Sequence, residues 1–215
     1  MSEFLPLFID LHDRKVVIIG GGSVGERKAT LFGRYARTIV VSLEFTEKLL
    51  KSKEIERIIL DMKLGDEEFA DLIKDAFLVI PATDDPAYNE HLAEIAGLLG
   101  VLVNRVDDDP GDVIIPSVIA RGDVTIGIST LGSSPALSRY SRRMIEGVIT
   151  PEYGEMARLQ SEMRRLLKEK VPDQKKRQQI LWQILEDGLV WEHLKRSYNM
   201  AYETALRHLR GKEVV

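Results

Sequence analysis

The chain has 215 residues, 44% hydrophobic and 30% charged, a balance that belongs to a soluble globular protein of one large domain or two small ones. It has no cysteine, which excludes disulfides, thiolate metal sites and cysteine nucleophiles; no apolar run approaches the roughly 18 residues of a membrane span and no secretory leader is apparent, so a cytoplasmic protein without a membrane partner is expected. The net charge of −4 divides into 17 Lys+Arg against 24 Asp+Glu in residues 1–150 and 13 against 10 in 151–215, an asymmetry too mild to argue for nucleic acid.

Leu5 to Leu11 is a short apolar segment, closed by the polar turn His12-Asp13-Arg14. Val16 to Ile19 is a run of four β-branched residues and reads as a buried strand. Gly20, Gly22 and Gly25 follow at G-x-G-x-x-G spacing, and a helix is predicted from about Glu26 to Tyr35. That context turns a weak motif into a dinucleotide-binding hypothesis. Gly20 allows the tight turn, Gly22 lets backbone approach a pyrophosphate, and Gly25 lets helix and strand pack closely. With Ser23 and Val24 they form the candidate phosphate contacts, beside the unpaired N–H groups of a helix start.

A second strand is predicted over Thr38–Ser42, ending near where an adenosine ribose would lie. Leu43 and Glu44 follow it, and Glu44 is the acid nearest that place. No Arg or Lys occupies 42–46 to receive a 2′-phosphate, which favours NAD over NADP. Ile55–Leu60 reads as a third strand, Asp66–Lys74 as an amphipathic helix, and Ala76–Ile80 as a fourth strand. Thr83 and Asp84 lie in the polar turn after it, ahead of a helix over Ala87–Leu99. Val101–Val103 makes a fifth strand, ending at Asn104-Arg105-Val106-Asp107-Asp108-Asp109. Alternation at this spacing argues for a parallel α/β sheet, with ligands at the carboxyl ends of its strands.

The pattern changes near Asp112. Val113–Ile119 is apolar with a proline inside, and Val124, Ile126 and Ile128 alternate with Thr125, Gly127 and Ser129 as in a half-buried strand. A helix starts at Ser134, with Pro135 in its first turn, and carries Arg139, Arg142 and Arg143. From Pro151 the strands stop. Three apolar stripes mark helices: Met156 to Leu166, Ile180 to Leu185, and Leu194 to Leu209. The expected division is a Rossmann domain over 1–113, a small α+β segment over 114–150 and an all-α domain over 151–215.

Several blocks occur together: Pro6-Leu7-Phe8, the run from Gly20 to Lys28, Ala82-Thr83-Asp84-Asp85 with Asn89, and Asn104-Arg105-Val106-Asp107. Pro116, Arg121-Gly122-Asp123 and Ile128-Ser129-Thr130 with Ser134 to Arg139 follow in order. In these the chain resembles the precorrin-2 dehydrogenases, the NAD-binding module of siroheme synthases. The resemblance is specific over about 1–150 and loose beyond. It implies a homodimer held by the middle segment, and NAD-dependent oxidation of precorrin-2 to sirohydrochlorin; some members also insert ferrous iron. Two departures stand out: Gly25, where many relatives have alanine, a change expected to be harmless, and Leu131, where relatives often have glycine.

The resemblance makes Asp107 the residue that removes a proton; spacing alone does not separate it from Asp108 and Asp109. The substrate it implies is a tetrapyrrole with eight carboxylates, for which Arg139, Arg142 and Arg143 offer bidentate partners, or equally a solvated face or a dimer contact. The four histidines show no metal-ligand spacing, and no metal site is expected. A non-catalytic NAD-sensing module is the alternative. A short-chain dehydrogenase fails, since no tyrosine is followed by lysine four residues on.

Overall fold

Val16 to Ile19 are wholly excluded from solvent, because the strand they form is covered on both faces. Strands so placed read as unbroken apolar runs. The computed structural model describes residues 4–60, 65–106 and 111–210. In it β1 (Lys15–Ile19) is the centre of an all-parallel sheet. β2 (Arg37–Ser42) and β3 (Ile55–Ile59) lie to one side, β4 (Leu78–Pro81) and β5 (Leu102–Val103) to the other, giving the order β3-β2-β1-β4-β5. Val17 pairs with Ile39 and with Val79, so strand alternation sends these three to one face. There they pack with Phe69 and Ile73 of α3 (Asp66–Ile73) and Leu92 and Ala96 of α4 (Pro86–Leu98). Val16, Ile18, Val40, Leu78 and Ile80 meet Ala29 and Phe32 of α1 (Ser23–Phe32) and Leu49 of α2 (Glu47–Lys51) on the other face.

The α1 helix begins at Ser23, three residues ahead of expectation. Gly22 is its N-cap, and the Glu26 N–H already donates to the Gly22 carbonyl at 2.9 Å. Gly25 therefore sits inside the first turn. A methyl group there would stand 1.9 Å from the Gly20 carbonyl oxygen. Glycine at 25 is thus the residue this backbone accommodates, and an alanine there would press on the Gly20 carbonyl. Helix α2 was not expected. It is one polar turn capped by the Thr46 hydroxyl, too short to show a helical period.

Two compact units divide the chain. The first comprises 1–115 with the loop 129–134; the second comprises 116–128 with 135–215. In the first, Leu131 holds a left-handed backbone (φ +52°), the conformation glycine adopts without penalty. In the second, β6 (Ser117–Arg121) and β7 (Val124–Ile128) form an antiparallel hairpin. Helices α5 (Pro135–Val148), α6 (Glu152–Lys170), α7 (Gln174–Glu186), α8 (Gly188–Leu194) and α9 (Tyr198–Arg210) follow. The third expected stripe is thus two helices, with Leu194 closing α8 and Tyr198 opening α9. Asp187 makes the corner before α8: its carboxylate accepts from the Leu189 N–H at 2.9 Å and pairs with His208 at 2.8 Å. Met163, Leu167, Ile184, Val190, Ala201 and Ala205 are fully buried at the centre of this unit. At its other end a Cβ added to Gly154 would lie 2.7 Å from the Arg121 carbonyl group, so the hairpin turn rests directly on α6 backbone.

Gly25→Ala is expected to cost about 1–3 kcal/mol, the usual size of overpacking against backbone that cannot yield, and to lower Tm by several degrees at this chain length. Gly97→Ala, in α4 with nothing within 4 Å of the added methyl, is the control; it should hold or raise Tm, since alanine is the better helix former. Thermal unfolding followed by circular dichroism compares the two.

Candidate functional site

Parallel strands bring the ends of β1, β2, β4 and β5 to one edge of the sheet, and the turn after β1 is packed against two of its neighbours there. Gly20 donates its N–H to the Val41 carbonyl at 2.9 Å, and Ala82 donates to Ile19 at 2.7 Å. Gly20 has φ +120°, and a Cβ on it would stand 2.3 Å from the Ala82 carbonyl oxygen. A Cβ on Gly21 would stand 2.1 Å from the Glu44 carbonyl oxygen. Gly22 differs. It is exposed, and a Cβ there would meet nothing within 4 Å.

Gly22 caps α1 without a side chain, so the first-turn N–H groups receive no side-chain acceptor and keep the positive end of the helix dipole to themselves. Ser23 is exposed and Val24 half-buried beside it. This is the arrangement that takes a phosphate through uncharged donors, and it fits a dinucleotide pyrophosphate.

Beyond β2, Ser42 is buried while Leu43 and Glu44 are exposed. The Gly21 carbonyl accepts from the Thr46 N–H at 3.1 Å, which ties this loop to the glycine turn. Lys48, on α2, lies 3.3 Å from the Glu26 carboxylate. That contact and the Thr46 hydroxyl hold Glu26 below the usual carboxylate range, the Thr46 bond being the larger cause. Beyond β4, Asn89 does the positioning. Its side-chain oxygen accepts from the Thr83 N–H at 3.0 Å and the Thr83 hydroxyl at 2.7 Å, and its amide donates back to the Thr83 carbonyl at 3.1 Å. Asp85 caps α4 through the Ala87 and Tyr88 N–H groups. Asp84, between these two anchors, is exposed. An acid followed by proline at the first helical position is the sequence signal for that cap.

Beyond β5, Asn104 is buried and accepts from Lys28 of α1 at 2.7 Å. Asp107 lies outside the described residues, as do Asp108 and Asp109. Arg139, Arg142 and Arg143 are all exposed on α5, in the second unit; Arg139 donates to the Pro135 carbonyl of its own helix at 3.3 Å. The first unit therefore gathers Gly20, Gly22, Ser23, Val24, Gly25, Leu43, Glu44, Thr83 and Asp84 at one edge of its sheet. The loop 129–134 belongs to that unit as well, closed on itself by the Thr130 hydroxyl, which donates to the Ser134 carbonyl at 2.9 Å and accepts from its N–H at 3.0 Å. Among the described residues no cluster of three or more His, Asp or Glu is disposed to hold a metal ion, and no helix is long and apolar enough to cross a membrane.

The family described as NAD(P)-binding matches residues 7–117. The precorrin-2 dehydrogenase of Methanosarcina barkeri is 50% identical over 208 residues, which is 95% of this chain and 92% of that protein. The siroheme synthase of Psychrobacter sp. PRwf-1 is 33% identical across 96% of this chain, which spans 42% of that longer protein. The siroheme synthase of Thioalkalivibrio sulfidiphilus is 37% identical across 88% of this chain and 38% of its own length. Among solved structures, SirC, a precorrin-2 dehydrogenase, matches with a TM-score of 0.73 over 96% of this chain and 100% of its own, at 22% identity. That last likeness is one of fold.

The open space over Gly22 separates binding from folding. Gly22→Val is expected to weaken nicotinamide dinucleotide binding by about tenfold or more, a side chain filling the pyrophosphate's place. Tm should fall by no more than a few degrees, the cost of a poorer N-cap residue with no packed backbone disturbed. Calorimetric titration and thermal melts on the same preparation test both halves.

Proposed function

This chain belongs to the precorrin-2 dehydrogenase family, and on that premise we propose that it oxidises precorrin-2 to sirohydrochlorin with NAD. The observation that carries the nucleotide half is the cradle at Gly22, open and uncapped, at the carboxyl edge of an all-parallel sheet. Identity of 50% over nearly the full length of both chains carries the substrate half. A nucleotide sensor without catalysis finds no support among these relatives, whose names are those of enzymes.

The bound nicotinamide supplies a hydride acceptor. The chain's own part is to hold and orient. Ser23 and Val24 would offer first-turn N–H groups to the pyrophosphate, and Glu44 would accept from the ribose hydroxyls. Thr83 and Asp84, braced by Asn89, would line the cradle on the side of β4. The absence of Arg and Lys from 42–46 favours NAD over NADP, and so does the pairing of the nearby Lys48 with Glu26. Oxidation removes a hydride and a proton from precorrin-2, and Asp107 takes the proton. Arg139, Arg142 and Arg143 pair with substrate carboxylates.

Anaerobic incubation of the full chain with precorrin-2 and either nucleotide is the direct test. NAD should be reduced as sirohydrochlorin absorbance appears, and more slowly with NADP. Ferrous iron added to the product shows whether the chain also inserts the metal, an activity assigned here only as an extension of the dehydrogenase. Asp107→Asn keeps shape but removes the proton acceptor, so its rate should fall by about 10²–10⁴ with NAD affinity unchanged. Asp109→Asn is the control for a general effect of the acidic run. A parent-like rate in Asp107→Asn would remove Asp107 from the mechanism.

The working form is a homodimer in this reading. Leu137, Tyr140, Met144 and Val148 recur at steps of three and four along α5 and are each more than half exposed. Contiguous apolar stripes of this kind are uncommon on monomers, and an isologous two-fold contact is the commonest way to cover one. Light scattering at micromolar concentration should give twice the chain mass, and Leu137→Glu with Met144→Glu should give the monomer. A monomeric parent would end this assignment.

A further inference from the structure

An acid in the first turn of a phosphate-binding helix stands beside an anion it repels, so its neighbours decide what it does there. Glu26 occupies that turn of α1, with its side chain 24% exposed. Two groups from the segment that leaves β2 engage its carboxylate: the Thr46 hydroxyl, and the Lys48 amine at 3.3 Å. That segment is itself fixed against the glycine turn. Thr46 donates its N–H to the Gly21 carbonyl at 3.1 Å, its hydroxyl accepts from the Leu49 N–H at 3.4 Å, and the Glu44 carbonyl fills the space that a Cβ on Gly21 would need. The end of β2 is also where a dinucleotide fold receives the adenosine ribose, and where an acid or a cation tells a 2′-hydroxyl from a 2′-phosphate.

The cations at this corner have different duties. Lys51 pairs with Glu47 one turn away on α2, and Arg57 donates to the Leu49 and Ser52 carbonyls. Lys48 instead reaches across to α1. Its side chain is 61% exposed, and a surface pair of this kind has little strength of its own, so the bond alone does not keep the amine from an incoming anion. The carboxylate does. A 2′-phosphate carries roughly −1.5 to −2 charges at neutral pH. If Lys48 turned to it, Glu26 would be left uncovered beside it, and the repulsion would cancel what the amine supplies.

We infer that Glu26 is a specificity-determining residue: by engaging Lys48 it denies that amine to a 2′-phosphate, and so sets the choice between NAD and NADP. The inference deepens the nucleotide assignment above and rests on it.

Calorimetric titration of the full chain with NAD and with NADP gives the ratio Kd(NADP)/Kd(NAD), in which effects on the shared pyrophosphate cancel. Glu26→Gln keeps the shape and an acceptor for the Thr46 hydroxyl while freeing Lys48. The ratio should fall by about 5- to 20-fold, the order of one charge contact near a protein surface, and the fall should shrink as salt is raised. Lys48→Met leaves Glu26 uncovered, so there the ratio should rise by about threefold or more. The double variant restores the parent's local charge and should return to within about twofold of the parent's ratio. A merely structural tie between α1 and α2 would move both single variants the same way, with a lower Tm, since each breaks the same contact. That result, or an unchanged ratio in Glu26→Gln, overturns the proposal. Lys48→Met, a change at an exposed side chain, serves if Glu26→Gln folds poorly, and a ratio that stays or falls in it is equally fatal. A parent that binds neither nucleotide removes the nucleotide assignment and this inference with it. A parent that binds NAD, with single variants that fail to shift in opposite directions, sinks this inference alone.

Discussion

The turn after β1 has almost no free volume, and much of the first unit is arranged around that fact. Missing Cβ atoms at Gly20 and Gly21 are replaced by carbonyl groups from the ends of two other segments, Ala82 after β4 and Glu44 after β2; the space at Gly25 is taken by the carbonyl oxygen of Gly20 itself. Backbone meets backbone at three points within one short stretch. Such contacts cannot be relaxed by choosing another rotamer, so they fix how far β4 and the β2–α2 loop approach the start of α1. Gly22 alone opens outward. The same run of glycines therefore closes the sheet edge from below and leaves it bare above, which is what a phosphate needs from an uncharged cradle.

That the cradle is uncharged matters in an acidic setting. Residues 1–150 carry seven more acids than bases, yet the inferred ligand is an anion. Attraction there comes from oriented N–H groups within a few ångströms, where local geometry outweighs net charge. Two nearby cations are engaged elsewhere: Lys48 with Glu26, Lys28 with Asn104. Two buried amides, Asn89 and Asn104, join these contacts in ordering the site.

What the sequence disclosed follows the range of the interactions. Val16–Ile19 and Leu78–Ile80 are legible because a strand covered on both faces must be apolar at every position. The alternation of Val124–Ile128 is legible for the complementary reason. The start of α1 is not, because a glycine cap leaves no side-chain signature and its evidence is a single hydrogen bond to Gly22. Ser197 and its neighbours break the last apolar stripe without glycine or proline, so two helices read as one. The left-handed Leu131 is hidden likewise: the residue type disfavours the conformation that the loop imposes. Least legible is the Lys28–Asn104 pair, whose members are 76 residues apart; no local period or spacing connects them. The candidate pyrophosphate and ribose residues lie together on one edge, as a parallel sheet requires. Asp107 rests on resemblance, not on geometry.

The contact of Gly122 and Gly154 bears on how such a chain could be recombined with a relative. At that point the hairpin turn and the first turn of α6 touch through main chain, with Gly122 at φ +54° and no side chain between them. An interface made of side chains can be repacked when one half is exchanged for a relative's. One made of two bare backbones has no such slack. A recombination joint placed between β7 and α6 would therefore have to bring a matching glycine on each side.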